Sequence, residues 1–214
     1  MFYQLARLFF RIYFLLYHRV SIRGLDELMS FIDADPQGRT VILAANHASY
    51  LDPPLVGMAF PRPLRFVAWD QLFKVPIFSF LIRALGAVPV SHENKNSAAG
   101  LLRQVIGFIE DGFNVLIFPE GERTPDGTLR PFEGGVALIA LKTGAPIVPI
   151  WIEGTWEAYP LQNTLPRPRK VTLVFGAPIL PESLPEDLPE KEKRAALLDR
   201  LRRDIETMRD SFAR

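Results

Sequence analysis

The chain has 214 residues, enough for one large domain with a sizeable core. Hydrophobic residues make up 48% and charged residues 23%, which excludes a mainly disordered protein. The formal net charge is only +1, which argues against nucleic acid as the main partner. Without any cysteine, the chain can form no disulfide, thiolate nucleophile or cysteine-ligated metal site.

The chain opens with an oily, purely cationic segment. Residues 1–25 contain four arginines and no acid. Gln4, Arg7, Arg11 and His18 recur at helical spacings, so they share one face of a helix, and the other faces are covered by Phe, Leu, Ile and Tyr. This pattern predicts a helix that lies on a membrane surface, with its arginines reaching toward anionic lipid.

The segment has three other interpretations. A signal peptide is disfavoured because arginines interrupt the apolar stretch and no small-residue cleavage site follows. A spanning helix needs about 20 mostly apolar residues, and the longest stretch without a strongly polar residue runs from Ile12 to Tyr17. A helix packed on its own domain is the third alternative. We therefore divide the chain into a membrane-interfacial segment, 1–23, and an α/β domain, 24–214.

Short β-rich runs alternate with helical patterns through the rest of the chain. Most of these runs are continuously apolar, which is typical of strands covered on both faces. Helices are predicted after Ser97, after Phe132 with Gly144 beyond its end, and over 190–214. The alternation predicts an α/β fold with a largely parallel central sheet flanked by helices. The predicted strands are 40–45, 65–68, 87–90, 114–118, 147–152 and 170–175.

A polar turn follows the first of these strands. Residues 46–52 read Asn-His-Ala-Ser-Tyr-Leu-Asp, so His47 emerges at a strand end, where open α/β sheets bind ligands. A turn before Pro53 can bring Asp52 back to the imidazole. The carboxylate would fix one ring nitrogen and leave the other to accept a proton from a hydroxyl. The alternative is a histidine that merely caps a helix, while Ser49 lacks the Gly-x-Ser-x-Gly turn of a serine nucleophile.

A second polar turn follows the predicted strand at 114–118. It reads Phe118-Pro119-Glu120-Gly121-Glu122-Arg123. Gly121 allows a tight turn, and Arg123 offers a planar fork that suits a phosphate. Glu120 can hold Arg123, a substrate or a backbone amide. The alternative is an ordinary surface turn with a local Glu–Arg pair.

Together the two turns resemble a known family. His47 and Asp52 match the H-x4-D box, and residues 118–123 the F-P-E-G-x-R box, of the lysophosphatidic-acid acyltransferase-like (PlsC-like) glycerolipid acyltransferases. Residues 86–90 resemble the second box of that family and residues 148–150 its fourth. The resemblance implies that an acyl group moves from acyl-CoA or acyl-ACP to the free hydroxyl of a lysophospholipid in phospholipid biosynthesis. The implied acceptor is 1-acylglycerol 3-phosphate.

The resemblance also implies roles for individual residues. His47 would be the general base and Asp52 the residue that orients it, with no metal, no cofactor besides the acyl donor and no covalent acyl-enzyme. The protein would be peripheral on the cytoplasmic face of the inner membrane, attached through residues 1–20. The residues implied to bind substrate are Asn46, Ser49, His92, Glu120, Gly121 and Arg123.

One position departs from the family pattern. His92 stands where the second box usually carries an arginine for the acceptor phosphate, and histidine binds phosphate weakly near neutral pH because its ordinary pKa is about 6.5. The alternatives are therefore a lysolipid with a phosphodiester or amino-lipid headgroup, or a non-catalytic lipid-binding relative. Arg83 or Arg103 could also serve in place of His92. A metal-dependent hydrolase using His47, Asp52 and His92 is disfavoured because the chain has no H-E-x-x-H or equivalent ligand run.

Overall fold

The predicted architecture, an α/β fold with a mostly parallel central sheet, is confirmed in a computed structural model. It describes residues 2–36, 38–69, 73–74, 79–80, 82–83, 86–90 and 97–212. The seven strands found in these residues are β1 Arg19–Arg23, β2 Ile42–Ala45, β3 Leu64–Trp69, β4 Ala87–Val90, β5 Asn114–Ile117, β6 Ile147–Glu153 and β7 Lys170–Phe175. The helices are α1 Phe2–Tyr17, α2 Leu25–Asp33, α3 Asp52–Ala59, α4 Ser97–Glu110, α5 Gly135–Thr143, α6 Thr155–Ala158 and α7 Glu190–Asp210.

The order of strands across the sheet is β1-β7-β6-β2-β5-β3-β4. Neighbouring strands run parallel except β6 and β7, which are antiparallel. Strand β2 therefore lies between β5 and β6, and all three end at the same edge of the sheet. In open α/β sheets ligands bind beyond this edge. We call it the carboxyl edge.

Helices cover both faces of the sheet because successive side chains of a buried strand point to opposite faces. In β2, Leu43 packs into a core shared with α1, α2 and α3. Its neighbours Ile42 and Ala44 pack into a second core shared with α4, α5 and α7. All four residues of β2 are buried, as the continuous apolar run predicts. Gly144 caps α5 in the left-handed region, as predicted.

Some elements differ from the prediction. Strand β1 was not predicted, because it is a short edge strand whose apolar and polar residues alternate inside the oily segment. Helix α2 was also missed. In α7 the buried residues are Leu197, Leu201 and Ile205, and Leu198 is partly buried against the second core.

Helix α1 has two apolar faces. One face packs on α3 and the first core through Ala6, Phe10 and Phe14. No helix in the described part of the chain is long and apolar enough to cross a membrane. The opposite face of α1 is exposed and consists of Leu5, Leu8, Phe9, Ile12, Leu15 and Leu16.

The predicted polar face of α1 is wrong at one residue. Gln4 and Arg11 are exposed, and Arg7 donates hydrogen bonds to the carbonyls of Met58 and Pro61. His18 is only 3% exposed, because α1 ends at Tyr17 and helical spacing no longer applies to the residue beyond it.

Candidate active site

The loop between β2 and α3 is fixed by side chains near its start. The side chain of Asn46 extends the pairing of β2 with β6. Its Oδ1 accepts a hydrogen bond from the backbone N–H of Ile152, and its Nδ2 donates one to the carbonyl of the same residue. The Ser49 hydroxyl donates to the carbonyl of Tyr159 at 2.9 Å. Both side chains are buried and hold the loop. Substrate binding by Asn46 and Ser49 stays a prediction.

The structure brings His47 and Asp52 together. Nδ1 of His47 lies 2.9 Å from Oδ2 of Asp52, a fully buried carboxylate. The same oxygen accepts the backbone N–H groups of Ala48 and Ser49, each at 2.7 Å. Because Oδ2 accepts from two N–H donors, we assign the proton of the third contact to Nδ1. Nε2 of the imidazole then carries a free lone pair.

His47 is not a helix cap. The residue at the N-cap of α3 is Leu51, and no side chain caps the helix there. The His47 ring instead stacks on Phe118, with ring centroids 3.9 Å apart and planes 20° from parallel. The imidazole is 16% exposed, so one part of it faces solvent while its orientation is fixed from two sides.

Glu120 bonds to backbone amides, which was one of its three predicted alternatives. Its Oε1 accepts the N–H of His47 at 2.7 Å, and its Oε2 accepts the N–H of Arg130 at 2.8 Å. Burial raises the pKa of the Glu120 carboxyl, and the two backbone hydrogen bonds oppose part of that rise. The N–H of Thr124 donates to the carbonyl of His47 at 2.9 Å. The second polar turn therefore holds both backbone polar groups of His47.

Arg123 lies over the first polar turn. Its guanidinium carbon is 3.5 Å from the centroid of the Tyr50 ring, a cation–π contact. Its Nη1 is buried and has no hydrogen-bond partner among the described residues. A buried guanidinium nitrogen without a partner is a donor that an anionic ligand can use. Glu122 pairs with Arg130 and not with Arg123.

Gly121 makes the sharp turn between Glu120 and Arg123. Its φ is +74°, a conformation that side chains rarely adopt, and a Cβ there would lie 3.2 Å from Oε1 of Glu133. The local geometry thus explains the glycine without a ligand. Contact of Gly121 with substrate stays a prediction.

Three further residues were candidates for binding the acceptor phosphate: His92, Arg83 and Arg103. His92 is outside the described residues. Arg83 stacks over the Phe73 ring, and Arg103 is exposed on α4. The described residues contain no group of three or more side chains able to hold a metal ion.

Sequence reasoning missed Tyr50 and Phe118 as site residues. Phe118 stands directly before the Pro-Glu-Gly turn at the end of β5, and Tyr50 lies between His47 and Asp52. Both residues stand in the turns that follow β2 and β5. Because these strands are parallel neighbours, their following turns meet, and this position was the signal that could have identified Tyr50 and Phe118.

Comparison with known proteins places this site in a family. A model of the family described as Acyltransferase matches residues 19–153. The 1-acyl-sn-glycerol-3-phosphate acyltransferase BAT2 of Brassica napus is 30% identical over 144 residues, which cover 67% of this chain and 40% of that protein. The corresponding enzyme of Borreliella burgdorferi is 28% identical over 134 residues, which cover 63% of this chain and 54% of the other. The chain thus spans about half the length of these relatives or less.

A solved structure has the same fold. The crystal structure of the 1-acyl-sn-glycerophosphate (LPA) acyltransferase PlsC from Thermotoga maritima superposes with a TM-score of 0.73 and 29% sequence identity. The match covers 96% of this chain and 79% of that one. Because the family match spans more than half of the chain and includes both polar turns, the chain belongs to the Acyltransferase family.

Proposed function

We propose that the protein is an O-acyltransferase that moves a fatty acyl group from acyl-CoA or acyl-ACP to 1-acylglycerol 3-phosphate, which gives phosphatidic acid. The observation that carries the proposal is the 2.9 Å contact between Nδ1 of His47 and Oδ2 of Asp52, which leaves Nε2 as a base. The names of the two relatives and of the solved structure support this choice of acceptor.

The arrangement suits attack by a substrate hydroxyl. Nε2 of His47 takes the hydroxyl proton while the oxygen bonds to the thioester carbonyl carbon, and the buried Asp52 carboxylate stabilises the imidazolium that forms. The tetrahedral oxyanion then collapses, and its carbon–sulfur bond breaks. The departing thiolate takes the proton back from Nε2. Since the substrate supplies the nucleophile, the reaction needs neither a covalent acyl-enzyme nor a metal.

Arg123 is the proposed phosphate ligand. Its Nη1 has no hydrogen-bond partner among the described residues, and the Tyr50 ring holds the guanidinium plane. A planar guanidinium can donate two parallel hydrogen bonds to a phosphate, which gives geometric selectivity as well as charge. An acceptor with a different headgroup is the alternative, because His92 replaces the usual arginine of the second box.

The exposed face of α1 is proposed to rest in the membrane that contains the acceptor. Leu8 and Leu16 on this face are 54% and 83% exposed. Apolar side chains left open to water on one helix face are typical of interfacial helices. We place the protein as a peripheral enzyme on the cytoplasmic face of the inner membrane.

A panel of acceptors tests the proposal. Purified protein in detergent micelles would receive labelled acyl-CoA or acyl-ACP together with lysophosphatidic acid, lysophosphatidylcholine, lysophosphatidylethanolamine or glycerol 3-phosphate. We expect turnover to be fastest with lysophosphatidic acid and to fall by about 10²- to 10⁴-fold in His47→Ala, because that substitution removes the base. Full turnover in His47→Ala would overturn the assignment of the base. Tight lipid binding without turnover on any acceptor would indicate a non-catalytic relative.

A further inference from the structure

The segment 160–170, between α6 and β7, lies at the carboxyl edge of the sheet. It follows Tyr159, whose carbonyl accepts a hydrogen bond from the Ser49 hydroxyl in the proposed catalytic loop. Its other end is Lys170, the first residue of β7. Because β7 runs antiparallel to β6, β7 begins at the edge where β6 and β2 end. Both ends of the segment therefore lie at the edge of the sheet that carries the proposed active site.

The exposed surface of this segment combines leucines with cations. Leu161 is 36% exposed and Leu165 is 74% exposed. Arg167, Arg169 and Lys170 follow and are exposed as well. The sequence has no acidic residue between Glu157 and Glu182, and the ion pairs that we find among described residues do not involve these three cations. Their positive charge is therefore not neutralised locally.

Hydrogen bonds from the backbone and from one side chain hold the segment in place and join it to α1. The N–H of Arg167 donates to the carbonyl of Ala158 at 2.7 Å, which closes the loop. The Tyr17 hydroxyl, at the end of α1, donates to the carbonyl of Pro166 at 2.9 Å. The N–H of Arg19 donates to the carbonyl of Arg169 at 3.1 Å. The segment is thus hydrogen-bonded to the end of α1 and to the start of β1.

From this surface we infer that residues 161–170 form a second membrane contact, which binds the headgroups of anionic phospholipids. The leucines enter the interface while the three cations lie at the level of the lipid phosphates. Charge complementarity identifies the occupant, since exposed leucines with a run of unneutralised cations suit an anionic monolayer. The inference rests on the proposed function, because an enzyme with a lipid acceptor has to meet that acceptor at a membrane.

A second contact would set the orientation of the enzyme. Helix α1 alone is a single line of contact, which constrains the tilt of the domain less than two separate contacts do. With residues 161–170 also docked, the carboxyl edge of the sheet faces the bilayer. His47 and Arg123 then face the plane that contains the hydroxyl and phosphate of a lysolipid.

Vesicle sedimentation tests the cationic part of the surface. Binding is measured to vesicles of phosphatidylcholine alone and to vesicles that also contain phosphatidylglycerol. We expect Arg167→Gln/Arg169→Gln/Lys170→Gln to weaken binding to the anionic vesicles about 100-fold and to leave binding to neutral vesicles unchanged, since each basic residue near an anionic surface contributes about fivefold. A matched control removes three exposed cations from α5 and α7, which cover the face of the sheet away from α1. This control is Lys142→Gln/Lys191→Gln/Arg203→Gln.

The control decides how the loss is interpreted. We call Arg167→Gln/Arg169→Gln/Lys170→Gln the loop variant. If its binding to anionic vesicles falls while binding by the control is unchanged, the segment makes a local lipid contact. Equal losses in both variants would show that only net charge matters, and no loss in the loop variant would show that the segment stays in water. Either result would overturn the inference. Circular dichroism of each variant shows that a loss of binding is not a loss of folding.

Leu165→Ser tests the apolar part of the surface. We expect it to weaken binding to both kinds of vesicle about tenfold, because a leucine no longer leaves water. Unchanged binding to both would contradict insertion of this residue. Binding to soluble polyglutamate that exceeds binding to anionic vesicles would indicate an acidic protein partner and would overturn the lipid assignment.

Activity assays separate this inference from the proposed function. In detergent micelles the loop variant should acylate lysophosphatidic acid at the wild-type rate, and on anionic vesicles its rate should fall. If wild-type protein transfers no acyl group in micelles, the proposed function fails. The sedimentation results still decide whether residues 161–170 bind the membrane.

Discussion

The Glu120 carboxylate accepts a hydrogen bond from the backbone N–H of His47 at 2.7 Å. Its second oxygen accepts the N–H of Arg130, and the His47 carbonyl accepts the N–H of Thr124. The proposed base is therefore held by the turn after β5 as well as by its own loop after β2. A neighbouring strand thus determines where the imidazole lies.

Glu120→Gln should disturb this arrangement without removing the side chain. Glutamine has one acceptor oxygen, so its NH₂ group must face either the N–H of His47 or that of Arg130. We expect kcat to fall about 10- to 100-fold with little change in the KM for the acceptor, and the free energy of unfolding to fall by about 1–3 kcal/mol. Steady-state kinetics and urea unfolding measure both effects.

An exposed carboxylate in the same region supplies the control for that experiment. Glu133 is exposed and lies just after the second turn. Glu133→Gln should leave kcat and the free energy of unfolding near the wild-type values. If Glu120→Gln instead raises the KM for the acceptor and leaves kcat intact, Glu120 contacts the substrate and its backbone contacts are secondary.

Asp52→Asn should remove the charge that stabilises the imidazolium. Oδ2 of Asp52 accepts three hydrogen bonds, and an asparagine oxygen can occupy that position without a negative charge. We expect kcat to fall about 10²- to 10⁴-fold, with the KM for the acceptor unchanged. Residues that act as a unit give losses that do not multiply. The double variant with His47→Ala should therefore be no slower than His47→Ala alone, and multiplying losses would show that the two side chains act separately.

Local patterns were sufficient to predict much of the sheet and the closeness of His47 and Asp52. Strands β4 and β7 have the predicted bounds, because a continuous apolar run between turn residues is a local signal. The contact between His47 and Asp52 also spans only five positions and a single turn. Short-range geometry of this kind follows from spacing and from the helix that begins at Asp52.

The supports of the site could not be predicted, because they depend on which strands become neighbours. Glu120 is 73 positions from His47, and the two meet only because β2 and β5 pair in parallel. The stacking of Phe118 on His47 has the same origin. The hydrogen bonds between the Asn46 side chain and Ile152, 106 positions away, depend in the same way on the pairing of β2 with β6.

Tyr50 should act through Arg123. Tyr50→Leu removes the ring under the guanidinium, whereas Tyr50→Phe keeps it. A cation–π contact contributes about 0.5–2 kcal/mol, so we expect Tyr50→Leu to raise the KM for lysophosphatidic acid about 2- to 30-fold while Tyr50→Phe stays near the wild type. Kinetics with monoacylglycerol, which lacks the phosphate, provide the comparison. Equal losses with both acceptors would show that Tyr50 supports the loop generally.

His18 should make folding stability depend on pH. Its ring is buried between α1 and β1, with Nε2 3.3 Å from the Tyr13 hydroxyl and the ring of Tyr17 packed against it. Burial lowers the pKa of His18 below 6.5, against a smaller opposing effect from the backbone of Arg169. As the pH falls below 6.5 the unfolded chain therefore binds a proton before the folded one does.

The sign of the effect follows from that difference. The stability associated with neutral His18 is fully present above pH 6.5 and is lost as the pH falls through the window between 6.5 and the lower folded pKa. His18→Phe keeps an aromatic ring and removes the titration. We expect the difference in unfolding free energy between wild type and His18→Phe to be constant above pH 7. Below pH 6.5 the wild type should lose unfolding free energy relative to His18→Phe, by at most about 1.4 kcal/mol per pH unit. Urea unfolding at closely spaced pH values measures this difference, in which the contributions of the other titrating groups cancel. A difference that stays constant across the whole pH range would show that His18 is protonated equally in the folded and unfolded states.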